Sequence, residues 1–178
     1  MRINNKKFIY LISPNKISNN TFYNDLIEVF KSKNIGFFQL RLKKTKEKDK
    51  IQIGKKVKKI CEKFNVKFLI NDDPNLTKKL DVDGCHLGQK DMKIEEARKI
   101  LKNKIIGITC HNSIKLAKIA ISNKPDYLAI EGKSNGGLLI GAVINQFSNI
   151  CRVSFIESAL LDMIRYEALP NGKTWDDE

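Results

Sequence analysis

The sequence predicts an α/β protein of the (β/α)8 TIM-barrel type, incomplete or modified after its sixth strand. Two observations carry the prediction. Short apolar runs alternate with amphipathic helical patterns from residue 8 to residue 130, which implies a parallel sheet joined by right-handed crossovers, either open and doubly wound or closed. Polar and charged residues then gather just after the apolar runs, where barrels place their reacting groups. The phosphate-cradling patterns G-x-G-x-x-G and G-x-x-x-x-G-K-[ST] are absent, which lowers the nucleotide-binding open-sheet option.

The strand candidates are Phe8–Ile12, Gly36–Leu40, Phe68–Ile70, Gly84–Leu87, Ile105–Ile108 and Tyr127–Ile130. Each interval holds one helical pattern. Phe22, Leu26, Ile27 and Phe30 mark the first, and Ile53, Val57, Ile60, Cys61 and Phe64 the second. Leu76 and Leu80 give a brief third helix, Ile94, Ala97 and Leu101 a fourth, and Ala117 with Ile121 a fifth. Their spacing of three and four residues places the apolar side chains on one helix face.

Three segments suggest chemistry. In Gln39-Leu40-Arg41-Leu42-Lys43 the second strand is read as running on to Lys43, so that alternation puts an amide and two cations on one side. Ile70-Asn71-Asp72 ends the third strand in an amide and a carboxylate, and His86-Leu87-Gly88-Gln89-Lys90-Asp91 follows the fourth with a second carboxylate. Two hard oxygen ligands beside a cationic fork suit Mg2+ and a phosphorylated substrate. Thr109 and His111 follow the fifth strand. Neighbouring strands lie about 4.8 Å apart, so these groups can converge on one ligand.

Each residue also has a plainer reading. Arg41 and Lys43 alone are consistent with a solvated strand end. Asp72, before Asp73-Pro74, can be a turn or helix-cap residue, and Asp91 can cap the fourth helix. His86 is read as a packing or hydrogen-bonding residue. His111 is either an ordinary loop histidine or an acid/base group.

Composition limits the function classes. With 42% hydrophobic and 30% charged residues in 178, the chain is long enough for one domain with a sizeable core. No stretch approaches the roughly 20 apolar residues of a membrane helix. The basic start, Met1 to Lys7, precedes an apolar run too short for a signal peptide, so a cytoplasmic protein with no membrane partner is expected. Cys61, Cys85, Cys110 and Cys151 form no C-x-x-C pair and read as reduced core thiols. The net charge of +13 raises the question of nucleic acid. The lysines are spread along helices and loops, without aromatic interleaving, so no nucleic-acid partner is expected. The field can still steer anionic substrates.

The charge changes sign along the chain. Residues 1–130 hold 29 Lys+Arg against 13 Asp+Glu, and residues 131–178 hold 4 against 7. Two regions are therefore read: βα units of a barrel over 1–130, and a divergent segment over 131–178 that completes or covers it.

Taken together, the ordered segments resemble the thiamine phosphate synthase family, within the superfamily of (β/α)8 barrels that also holds the thiazole tautomerases. The family pattern runs Q-x-R-x-K, I-N-D, G-x-H-L-G-Q-x-D and I-G-x-S-x-H, and all four occur here in order over residues 8 to 130, with Thr109 in place of the serine. The resemblance implies condensation of 4-amino-2-methyl-5-(diphosphomethyl)pyrimidine with a thiazole phosphate, giving thiamine phosphate and diphosphate. It implies Asp72 and Asp91 as Mg2+ ligands, Arg41 and Lys43 on diphosphate oxygens, Gln39 and Asn71 on the pyrimidine diphosphate, and a hydroxyl contact from Thr109. No protein nucleophile is required.

After strand six the resemblance fades. The family continues with a T-x-T-K-like loop, a glycine-rich seventh strand and a strand-eight serine loop, and none is legible here. Glu131-Gly132-Lys133-Ser134 stands in the first position without the family's context. Arg152–Ile156 suits a strand and Ser154–Tyr166 a helix. A barrel typically needs about 250 residues and at least about 200, so the exposed interior is expected to be covered by the tail, a partner or a second copy in a homo-oligomer. A frameshift or a fused foreign end near residues 130–135 would explain both the charge break and the loss of the motifs. Two alternatives follow: a thiazole tautomerase-like enzyme using His111, and a non-catalytic remnant that binds only the pyrimidine diphosphate.

Overall fold

The computed structural model describes residues 8–17, 21–32, 34–111, 113–133 and 153–157. It divides into two compact units, residues 1–108 with 123–126, and residues 109–122 with 127–178. In the first unit, strands β1 (Ile9–Ile12), β2 (Ile35–Leu40), β3 (Lys67–Asn71), β4 (Gly84–Leu87) and all but the last residue of β5 (Ile105–Thr109) pair in parallel in chain order. Helices α1 (Thr21–Lys31), α2 (Glu47–Phe64), α3 (Pro74–Leu80) and α4 (Ile94–Leu101) lie between consecutive strands. The alternation of strand and helix is the one expected from the sequence.

Strand alternation sorts the core. Phe38 and Leu40 of β2 and Phe68 and Ile70 of β3 pack in one cluster with Leu26 and Phe30 of α1, Val57 and Cys61 of α2 and Leu76 and Leu80 of α3. Phe30 meets Phe38 and Phe64 edge-on, each at 5.9 Å between centroids, a geometry that aromatic quadrupoles favour. The remaining positions, Gln39 and Asn71 among them, therefore face the other side of the sheet.

Two glycines set close approaches. A Cβ on Gly84 would stand 2.2 Å from the Ile105 carbonyl oxygen, so no side chain fits where β4 meets β5. A Cβ on Gly54 would lie 2.5 Å from Leu80 Cδ1, which lets α2 pack tightly on α3. Helix ends follow ordinary capping rules. α2 stops at Asn65 in the left-handed conformation (φ 54°), and α3 starts at Asp73, whose carboxylate accepts from Leu76 N at 2.9 Å, with Pro74 next. Asp83 and Asp126 fasten the starts of strands instead: Asp83 accepts from Phe68 N at 2.9 Å and Asp126 from Ile106 N at 2.8 Å.

The second unit contains α5 (Ile114–Ser122), β6 (Tyr127–Lys133) and β7 (Val153–Glu157). β6 and β7 pair in parallel, from Ala129 opposite Val153 to Lys133 opposite Glu157. The strand alternative for the region after 152 is thus the one realised, over 153–157. The expected contributions of residues 134–152 and 158–178 lie outside the described residues. Cys61, Cys85 and Cys110 are buried free thiols, and burial pushes the first two up to about 12. Cys151 falls outside the described residues.

Candidate active site

The carboxyl ends of β2, β3 and β4 converge in the first unit. The extension of β2 to Lys43 does not occur, because the strand ends at Leu40. Its neighbours explain why: β1 ends opposite Gln39 and the β3 ladder reaches only Leu40. Beyond that point Arg41 N donates to the Ser13 hydroxyl at 2.9 Å, and Lys44 turns the chain in the left-handed region (φ 58°). Arg41 and Lys43 therefore reach the site from a loop rather than from a pleated strand.

The Arg41 guanidinium donates to Asn15 Oδ1 at 2.6 Å. Gln39 is buried, accepts at Oε1 from the Tyr10 hydroxyl at 2.8 Å, and donates through Nε2 to Asn71 Oδ1. An open cavity of about 330 Å³ is lined by Lys43, Lys44, Lys50, Asn71, Asp72 and Asp73 together with Leu40, Leu42, Ile70 and Leu76. Three lysines, an amide and two carboxylates thus line one opening.

Asp72 and Asp73 divide two tasks. Asp73 takes the cap of α3, which leaves Asp72 out of that role. Asp72 sits in the left-handed region (φ 64°) with its N–H given to the His86 carbonyl at 2.8 Å, one step beyond the β3–β4 ladder. Asp91 does not cap α4 either; Lys93 occupies that position without a side-chain bond. The Asp91 carboxylate instead accepts from Gly88 N at 2.6 Å, closing the loop after β4.

The two carboxyls meet. Partial burial, a hydrogen bond to Asp91 and the Asp91 charge push Asp72 up to about 6, against the pull of Lys43 and Arg41. Like charges held this close are costly unless a proton or a cation lies between them. His86 is buried on β4, and burial lowers it to about 4, so it is neutral near pH 7. Among the described residues no cluster of three or more His, Cys, Asp or Glu side chains is present. Magnesium asks for less, since it is commonly bound by one or two carboxylates and completes its octahedron with water and substrate phosphate. The raised Asp72 and its contact with Asp91 fit such an ion.

Residues 9–132 match the family model described as thiamine monophosphate synthase. The chain belongs to that family. A thiamine-phosphate synthase of Pelagibacter ubique is 70% identical over 125 residues, covering 70% of this chain and 60% of the relative. One from Fusobacterium nucleatum is 42% identical over 105 residues, covering 58% and 51%. The chain thus spans between half and three-fifths of the length of these thiamine monophosphate synthase relatives. A solved thiamine phosphate pyrophosphorylase from Pyrococcus furiosus superposes with a TM-score of 0.70 over 94% of this chain and 82% of that one, at 21% identity. That likeness shows the (β/α)8-type fold.

Thr109 and His111, the other residues the thiamine monophosphate synthase pattern marks, belong to the second unit. Thr109 is the last residue of β5, and His111 is exposed in a turn with φ 48°. Lys133 ends β6. Sequence reasoning missed Tyr10, Ser13, Asn15, Lys44 and Lys50. Ser13-Pro14-Asn15 follows β1 at its carboxyl end, a position the barrel rule would have marked. Lys50 lies in the first turn of α2, where nothing in its spacing separates it from the neighbouring solvated lysines.

Proposed function

We propose that this chain carries the pyrimidine diphosphate half of a thiamine phosphate synthase, which joins 4-amino-2-methyl-5-(diphosphomethyl)pyrimidine to a thiazole phosphate and releases diphosphate. The observation that carries the reading is the Asp72–Asp91 pair, with Asp72 pushed up to about 6 and both Arg41 and Lys43 close enough to pull against that rise. Asp72 and Asp91 would hold Mg2+. Bound there, the ion supplies neutralisation of the charge that develops on departing diphosphate.

The chain's own groups supply the rest. Arg41, oriented by Asn15, offers a planar fork for phosphoryl oxygens, and Lys43 adds a point charge. Both favour the departing diphosphate over the bound substrate, because negative charge grows on the leaving oxygen as the C–O bond breaks. Electron donation from the ring amino group stabilises the resulting pyrimidine methyl cation, which the thiazole nitrogen captures. Asn71 contacts the pyrimidine diphosphate, with buried Gln39 behind it. The resemblance also assigns a hydroxyl contact to Thr109, and His111 is the acid/base candidate of the tautomerase alternative. A cytoplasmic enzyme acting on small molecules accords with the described residues, which include no helix long and apolar enough to cross a membrane. Retention of the paired carboxylates beside two cations argues against a tautomerase, which has no diphosphate to expel.

The test is calorimetry with the pyrimidine diphosphate with and without Mg2+, followed by an assay for thiamine phosphate after thiazole phosphate is added. Magnesium-dependent binding with turnover supports the proposal. Binding without turnover leaves a pyrimidine diphosphate-binding remnant, and no magnesium-dependent binding removes the synthase reading.

A further inference from the structure

Asn71 reaches the cavity with its amide oriented from behind. We infer that Tyr10 is a positioning residue for the pyrimidine diphosphate, acting through Gln39 to hold the Asn71 amide with its N–H groups turned toward the ligand; the inference rests on the binding reading above. The three residues stand on three adjacent strands. Tyr10 lies opposite Phe37, two residues before Gln39, and Gln39 lies opposite Leu69, two residues before Asn71. Each step thus climbs two residues toward the carboxyl ends while staying on one face, so the side chains form a diagonal from the sheet interior to the site.

The donors and acceptors run in one direction along the chain. The Tyr10 hydroxyl donates to Gln39 Oε1 at 2.8 Å, which commits the other end of that amide to donate to Asn71 Oδ1. With its oxygen taken, Asn71 presents Nδ2–H groups to the cavity it lines. A phosphoryl oxygen or a ring nitrogen, both acceptors, is the complement. Gln39, 2% exposed, holds the Asn71 amide from the sheet side. Were the relay reversed, Asn71 would present its carbonyl and meet an acceptor with an acceptor.

Tyr10→Phe tests this with little disturbance to packing, because the ring stacked on Phe37 at 5.7 Å is retained. In the ligand-free protein, the relay predicts that Tyr10→Phe shifts the side-chain amide NMR signals of both Gln39 and Asn71. A shift confined to Gln39, or no shift, overturns it whatever the protein binds. With Mg2+ and the pyrimidine diphosphate, Tyr10→Phe should weaken binding by about 3- to 10-fold, the worth of one net hydrogen bond. In an Asn71→Ala background the same change should have no further effect. An equal loss in both backgrounds would mean that Tyr10 supports the fold generally and would overturn the positioning role. Absence of wild-type binding would refute the parent reading, while the amide signals would still decide the relay.

Discussion

Replacing Asp72 by Asn should make the metal-free protein more stable and its ligand binding worse. Asp72 is raised from 3.8 to about 6, so its ionised form is penalised in the folded state. A shift of this size converts to about 3 kcal/mol if taken whole. The group is only half-buried, and solvent screening reduces the share felt as stability to about 1 kcal/mol. The sign follows from linkage. The penalty is fully present above the folded value and disappears as pH falls toward the unfolded value near 3.8. Asparagine is a suitable probe because it keeps the shape and tolerates the left-handed backbone at φ 64°. Urea denaturation in chelator should place Asp72→Asn about 1 kcal/mol above wild type at pH 8, with the gap closing by pH 4. Adding Mg2+ and the pyrimidine diphosphate should stabilise wild type and leave the variant unmoved. A variant that is less stable at pH 8, or a gap that does not change with pH, would refute the account of two carboxyls held in repulsion.

Three further outcomes follow from the same coordinates. His86, lowered from 6.5 to about 4 by burial, contributes stability present above pH 6.5 that is lost as pH falls toward 4. The loss is about 3 kcal/mol, and His86→Gln should flatten that part of the denaturation profile; parallel profiles would contradict it. Gly54→Ala places a methyl against Leu80 and should cost about 1 kcal/mol once helix propensity offsets the crowding, with Gly54→Ala and Leu80→Ala together costing less than their sum in thermal melts. Lys50→Met should weaken magnesium pyrophosphate binding about 2- to 5-fold in low salt, as suits a partly exposed cation, and the difference should fade at high salt by calorimetry.

The elements were legible because their periods differ sharply. Phe22, Leu26, Ile27 and Phe30 share a face on a helix but not on a strand, where Ile27 would point the other way, and the short apolar run Phe68–Ile70 suits a buried strand. The end of β2 was not legible, because Arg41 and Lys43 continue an alternation whose hydrogen-bond partners have run out on both sides. That limit belongs to β1 and β3, not to the segment itself. The roles of Asp72 and Asp91 were visible only as alternatives. What removed the helix-cap alternatives lay in neighbours: Asp73 took the cap of α3, Lys93 stands at that of α4, and Gly88 N donates to the Asp91 carboxylate. Tyr10 was hidden for a similar reason. In the one-dimensional pattern it is another apolar strand residue, and only the stagger between β1 and β2 brings its hydroxyl to Gln39.

The meeting of Asp72 and Asp91 has a consequence for which cations the site accepts. Near pH 6 Asp72 is about half protonated, because a proton there relieves the repulsion of the Asp91 charge. A monovalent ion that enters can do little more than replace that proton, leaving the total charge as it was. A divalent ion displaces the proton and also cancels the second charge, so the proton acts as a competitor that only an ion of higher valence outbids. A cation site of the proposed kind would thereby count charge before it measures size, and would disfavour potassium and sodium through two side chains alone.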